Sequence, residues 1–138
     1  MSRSWLALIV LGFGLNACGD DPSFCADTPP AEAGLPTGAT CDGSTLTYEN
    51  FGREFMETYC TSCHSSSLSG EEARSCAPDD HNFGTLDEVN INRTHIDEIA
   101  AAGPDSVNEG MPPSGPKPTA AERLNLGVWL ACETERMP

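Results

Sequence analysis

The segment ETYCTSCHSS, residues 57–66, holds two cysteines three apart, Cys60 and Cys63, with His64 directly after the second. Four chemistries use such a cluster. A structural zinc ion takes thiolates and imidazoles, but it needs four protein ligands, usually from a second CxxC or a histidine pair at matching spacing. A redox dithiol of the thioredoxin kind has a strand before it and a helix after it. A disulfide between Cys60 and Cys63 gives His64 no part. A covalent anchor for a prosthetic group uses all three residues. The compartment and the surrounding sequence decide among these.

The N-terminus reads MSRSWLALIVLGFGLNACGDD. Arg3 is followed by an apolar run from Trp5 to Leu15, too short to span a bilayer as a mature helix. It has the form of a secretory leader, residues 1–17, and is set aside from the fold. The run ends at Leu15-Asn16-Ala17-Cys18, which resembles a bacterial lipobox and makes Cys18 the expected lipid-bearing N-terminus. An ordinary leader with Cys18 in a disulfide is the competing reading. Gly19 stands where an Asp tends to retain a lipoprotein at the inner membrane, so the expected location is the outer membrane, on its periplasmic side or at the cell surface. Export means an oxidising compartment, where disulfides persist.

The chain has 138 residues and a formal charge of −14. Removing residues 1–17 removes Arg3 and no acid, leaving 6 basic and 21 acidic residues. Such a surface argues against nucleic acid and against adhesion to anionic lipid, and it suits a basic partner face. About 120 residues make one small domain. A domain of that size buries a limited core and is commonly reinforced by disulfides or a cofactor.

Residues 18–44 are rich in Pro, Gly, Asp, Ala and Thr without periodicity, and read as an irregular linker. The domain is expected over 45–138. Tyr48, Phe51, Phe55 and Tyr59 recur at helical spacing, with Gly52 beside them, which predicts a helix over about 47–60 leading into CTSCH. Residues 65–84 read as loop with at most one short helix. Thr85-Leu86-Asp87-Glu88 has capping-box form and opens a helix with Leu86, Val89, Ile96 and Ile99 on one face, Arg93 in the gap, a break near Asn92, and an end at Ala102. Residues 103–118 are dense in Gly and Pro. Thr119-Ala120-Ala121-Glu122 is a second capping box, opening a last helix to about Cys132, with Leu124, Val128 and Ala131 sharing a face and Trp129 nearby. No strand signal and no repeat occurs, so the fold class is mainly α.

Around CTSCH the helix precedes and a loop follows, the reverse of a thioredoxin-like arrangement. Cys76 and Cys132 lack the spacing of a zinc ribbon or finger. Attachment of c-type haem accounts for every residue. Two thiols add across two vinyl groups, the two intervening residues span that distance, and the adjoining histidine falls under the iron. Met111, in the Pro-rich stretch EGMPPSGP, lies 47 residues beyond His64 and offers a soft thioether as sixth ligand. His81 and His95 are the rival sixth ligands, whose ligation gives a lower potential than Met/His. Met56 lies on the helix before the motif and Met137 near the end of the chain.

Helix, CTSCH, loop, helix, GMPP loop and terminal helix together resemble a class I cytochrome c domain, over about residues 45–134. The resemblance implies one covalent haem c, held by Cys60 and Cys63 and ligated by His64 and Met111. It implies a crossing of the first and last helices, Gly52, Phe51 and Phe55 against Leu126, Trp129 and Leu130. It implies a backbone hydrogen bond to His64 that the sequence of the 65–84 loop does not locate. Arg53, Arg74, Arg93 and Arg123 are the candidates for the haem propionates. With Cys18 lipidated and Cys60 and Cys63 on haem, Cys25, Cys41, Cys76 and Cys132 remain; the favoured pairing is Cys25–Cys41 within the linker and Cys76–Cys132 tying the loop to the last helix. The expected function is single-electron transfer between unidentified redox proteins, with no substrate site and a tether on which the domain swings. The alternative is a haem-based sensor or small-ligand binder with a labile sixth ligand. A haem-free lipoprotein with structural disulfides is a third.

Overall fold

A computed structural model of the chain describes residues 25–29 and 31–137. The leader over 1–17 and Cys18 fall outside these residues. A π-helical turn, Tyr48–Gly52, runs without a break into α1, Arg53–Tyr59; α2 is Leu86–Ala100 and α3 is Ala120–Arg136. Among the described residues there is no strand, only an isolated bridge between Ala102 and Val107. The protein is mainly α-helical. No helix among the described residues is long and apolar enough to cross a membrane.

Each helical unit begins at a capping box. Thr47 pairs with Asn50, Thr85 with Glu88 and Thr119 with Glu122, the side chain of each threonine accepting from the N3 amide while the N3 side chain accepts from the threonine amide. These bonds satisfy amides that have no intrahelical partner. The break expected near Asn92 is absent: its side chain donates back to the Glu88 carbonyl, 3.0 Å away, inside a continuous helix. α2 stops at Ala100, where Ala101 and Ala102 turn extended; the Ala102 amide donates to the Arg123 carbonyl. α3 runs a turn beyond Cys132.

The core lies where the first helix meets α3 and α2. Trp129 is fully buried, with Phe51 edge-on at 6.0 Å and Tyr48 at 6.3 Å between ring centroids. Gly52 permits the approach: a Cβ there would stand 2.3 Å from the indole ring. Val89, Ile96, Ile99, Leu126 and Leu130 complete the cluster.

α3 buries Leu126, Trp129 and Leu130, but not the face of Leu124, Val128 and Ala131 that the periodicity marks. Leu124 is 48% exposed, while Arg123 and Gly127 are buried. Gly127 lies against the Ala102 carbonyl, 2.4 Å from where a Cβ would be, so the closest backbone approach falls on glycine. Arg123 is buried because its guanidinium meets three carbonyls, as described below.

Residues 31–44 are not a free linker. Thr37 is buried, its amide and hydroxyl donating to the two carboxylate oxygens of Asp97 at 2.8 and 2.6 Å. The Gly34 amide donates to Glu98 O, and Asn108 Nδ2 to Leu35 O. The segment is therefore a strap across the C-terminal half of α2. The pairing of cysteines follows from this: Cys41 bonds Cys132, and Cys25 bonds Cys76. The expected Cys25–Cys41 and Cys76–Cys132 pairs are not formed, because the strap carries Cys41 to α3 and Cys25 to the 65–83 loop.

Gly52→Ala is expected to lower stability by roughly 1–3 kcal/mol through overpacking against Trp129, outweighing a gain in helix propensity of about 1 kcal/mol. Replacing Cys41 and Cys132 together by serine is expected to cost about 4 kcal/mol, since the bond closes a loop of 91 residues. Denaturant midpoints of the three proteins check both.

Candidate functional site

The end of α1 delivers the motif. Cys60 and His64 form one turn, with the Cys63 and His64 amides both donating to the Cys60 carbonyl. Cys60 and Cys63 are free thiols and half-buried. Burial pushes the Cys60 thiol up to about 12. That is the opposite of a reactive redox thiolate, whose pKa is lowered. Cys76 and Cys132 are held in disulfides, and no three His, Cys, Asp or Glu side chains among the described residues are grouped to hold a metal ion. The disulfides of Cys76 and Cys132 thus remove the two cysteines that could have completed a zinc set with Cys60 and Cys63.

His64 is buried and stacked on Phe83, with centroids 4.6 Å apart and planes at 20°. Its Nδ1 lies 3.0 Å from the His81 carbonyl. A carbonyl only accepts, so Nδ1 carries the proton. Burial holds the ring below the usual imidazole pKa, with the carbonyl bond opposing it, so the ring is neutral and its lone pair is at Nε2. The chain closes this arrangement with a second bond, from the Phe83 amide to the His64 carbonyl. A histidine with Nδ1 fixed on a carbonyl and Nε2 open is the usual state of a metal-ligating imidazole.

The His81 carbonyl lies at Nδ1, and the His81 ring stands 6.4 Å from that of His64. His95 packs on His81 at 4.6 Å. Met56 is buried in the core and Met137 lies at Arg93 Nη1.

Met111 is half-buried against the apolar cluster that Cys60 also borders and to which Phe83 belongs. Three bonds latch its loop. The Met111 amide donates to Ile99 O at 3.0 Å, and Arg123 Nη1 donates to Met111 O at 3.1 Å and Asn108 O at 3.0 Å. The same nitrogen reaches Ala100 O at 2.6 Å. Lys117 Nζ reaches over the loop to the Pro112 carbonyl. Tyr59, at the end of α1, donates to Glu122 Oε1 at 2.9 Å, which ties the helix before the motif to the cap of α3. The raised Tyr59 pKa and the lowered Glu122 pKa follow from that bond and from the Thr119 bonds to Glu122.

Two of the four arginines expected at haem propionates have other work. Arg123 is enclosed by carbonyls, and Arg74 bridges the loop behind His64. Arg53 lies over the Tyr48 ring at 5.2 Å, and Arg93 donates to Asn90 O. Two surface clefts, of about 410 and 260 Å³, flank α3 and touch none of Cys60, Cys63, His64 or Met111.

Arg123→Met, which keeps the apolar stem and removes the donors, is expected to cost about 3 kcal/mol by leaving three buried carbonyls short of a partner. Faster amide hydrogen exchange over residues 108–111 than elsewhere in the protein checks that the loss is centred on the Met111 loop. Compared with family models, curated proteins and solved structures, the chain matches none.

Proposed function

We propose that the protein is a monohaem c-type cytochrome that carries single electrons outside the cytoplasm. The observation that carries this reading is the His64 ring: neutral, with Nδ1 committed to a backbone carbonyl and Nε2 open, beside two free thiols in CTSCH. Cys60 and Cys63 would hold the group as thioethers, His64 Nε2 would be the proximal ligand, and Met111 Sδ the distal one. Haem held there supplies a one-electron Fe(III)/Fe(II) couple. The chain's own part is to keep both ligands still. Phe83 and the His81 carbonyl fix the plane and tautomer of His64, and Arg123 with Ile99 fixes the loop of Met111. Small ligand movement between oxidation states is what a carrier requires, and iron held by both His64 and Met111 would offer no place for a substrate.

The two disulfides support export, since such bonds persist in oxidising compartments. A lipid on Cys18, an outer-membrane location and electron exchange with separate redox proteins are part of the same proposal, supported by the apolar run that ends at Cys18 and by the acidic surface.

The full chain, with its own leader, is to be expressed in a cell that attaches c-type haem, and visible spectra recorded in both oxidation states. The expected result is covalent haem with a sharp reduced α-band, the weak far-red band of a methionine–Fe(III) bond, and no ready uptake of carbon monoxide. Covalent haem that lacks the far-red band and binds carbon monoxide would favour the sensor reading instead. Absence of haem would sink the proposal. Met111→Ala is expected to keep the haem and to lower the equilibrium constant for reduction at least about tenfold, about 59 mV for one electron. An unchanged potential would remove Met111 from the ligand set.

A further inference from the structure

Arg74 is 2% exposed and lies in the loop behind His64. Its guanidinium makes five hydrogen bonds: to the carbonyls of Ser65, Ala77, Pro78 and His81, and to Asn82 Oδ1. Four of these are enough to explain a buried arginine in a loop without helix or strand, because each backbone carbonyl there needs a donor. The fifth is different in kind. The His81 oxygen accepts from Arg74 Nη2 at 3.2 Å and from His64 Nδ1 at 3.0 Å. One carbonyl thus stands between a permanent cation and the imidazole.

A carbonyl that accepts from an imidazole N–H makes the ring a better electron donor at its other nitrogen. A guanidinium drawing on the same oxygen lessens that effect. Its charge, held in a region with little water, also opposes the additional positive charge of an oxidised centre on the far side of the ring. Both influences have the same sign. We propose that Arg74 is a positioning and tuning residue for the proximal histidine, which through the shared His81 carbonyl raises the reduction potential of the centre. The proposal rests on the haem reading given above.

Two neighbours of Arg74 allow a test that leaves the arginine in place. Asp79 Oδ1 lies 3.4 Å from Nε and its side chain is 94% exposed, so it offsets the charge weakly and contributes little to the fold. Asn82 Oδ1 accepts from Nη1 at 3.0 Å and is almost the shape of an aspartate. The measurement is equilibrium redox titration of the haem-loaded protein, with the far-red methionine band recorded for each variant. Asp79→Asn is expected to raise the equilibrium constant for reduction about threefold, the scale of one solvent-screened charge. Asn82→Asp is expected to lower it about tenfold, because the new carboxylate is partly buried against the guanidinium. Arg74→Lys, which cannot span the five acceptors, is expected to lower it as well.

A residue that only scaffolds the loop would show a different pattern. Potentials of Asp79→Asn and Asn82→Asp that stay at the wild-type value, or that move in the same direction, would overturn the proposal while leaving the haem reading intact. If Asn82→Asp fails to fold, the Asp79→Asn titration decides alone: a rise supports the role, and no rise removes it. Wild-type protein without covalent haem would overturn the haem reading, and this inference with it.

Discussion

The bond from His64 Nδ1 to the carbonyl of His81 is the constraint on which the arrangement of the site depends. It joins the turn after α1 to a point 17 residues further on, across a segment with no regular structure. For that carbonyl to stay in place, the chain between must be held by something other than a helix. Arg74 does this from inside the loop, and the Cys25–Cys76 bond does it from outside. Phe83, positioned by its amide bond to His64 O, then covers the ring. Loosening any of these moves the acceptor on which the histidine's orientation depends.

The same solution recurs on the other side of the domain. The turn from Ala101 to Met111 has backbone groups that no ladder can satisfy, and one nitrogen of Arg123 takes two of its carbonyls, Asn108 O and Met111 O, together with Ala100 O at the end of α2. Asn108 completes it by donating to both Leu35 O and Asp97 O. Two buried guanidinium groups thus do for two loops what hydrogen-bond ladders do for helices. A small domain with little apolar material gains order this way, although each cation must be fully surrounded for the burial to be tolerated.

Much of this was legible in the sequence, and the failures have physical causes. The capping threonines Thr85 and Thr119 marked their helices because cap chemistry is local. CTSCH stood out because three side chains at fixed spacing can carry a chemistry among themselves. The face of Leu124, Val128 and Ala131 was misread because Arg123 and Gly127 are buried beside Leu126, Trp129 and Leu130, one needed for its donors and the other for its missing Cβ. The strap over residues 31–44 was misread because Pro and Gly content describes a chain without helix or strand, and says nothing of whether Thr37 finds an Asp97. The cysteine pairing failed with it, since Cys41 was assigned to a linker that is in fact packed. The His81 carbonyl had no signature at all: a backbone oxygen is common to every residue, and only the path of the chain makes this one the acceptor.

The Cys25–Cys76 bond changes how the domain responds to whatever holds the chain upstream. Cys25 follows Cys18 by seven residues, a stretch that reaches at most about 25 Å. A free linker to residue 44 would have reached about 90 Å. If the chain is anchored at Cys18 as proposed, the domain would be on a short leash fastened at the loop behind His64, and that loop would face the anchor. Tension on such a leash would reach Cys76, two residues from Arg74, directly through the Cys25–Cys76 bond. The point of mechanical load and the point that orients the imidazole are thus neighbours on one loop.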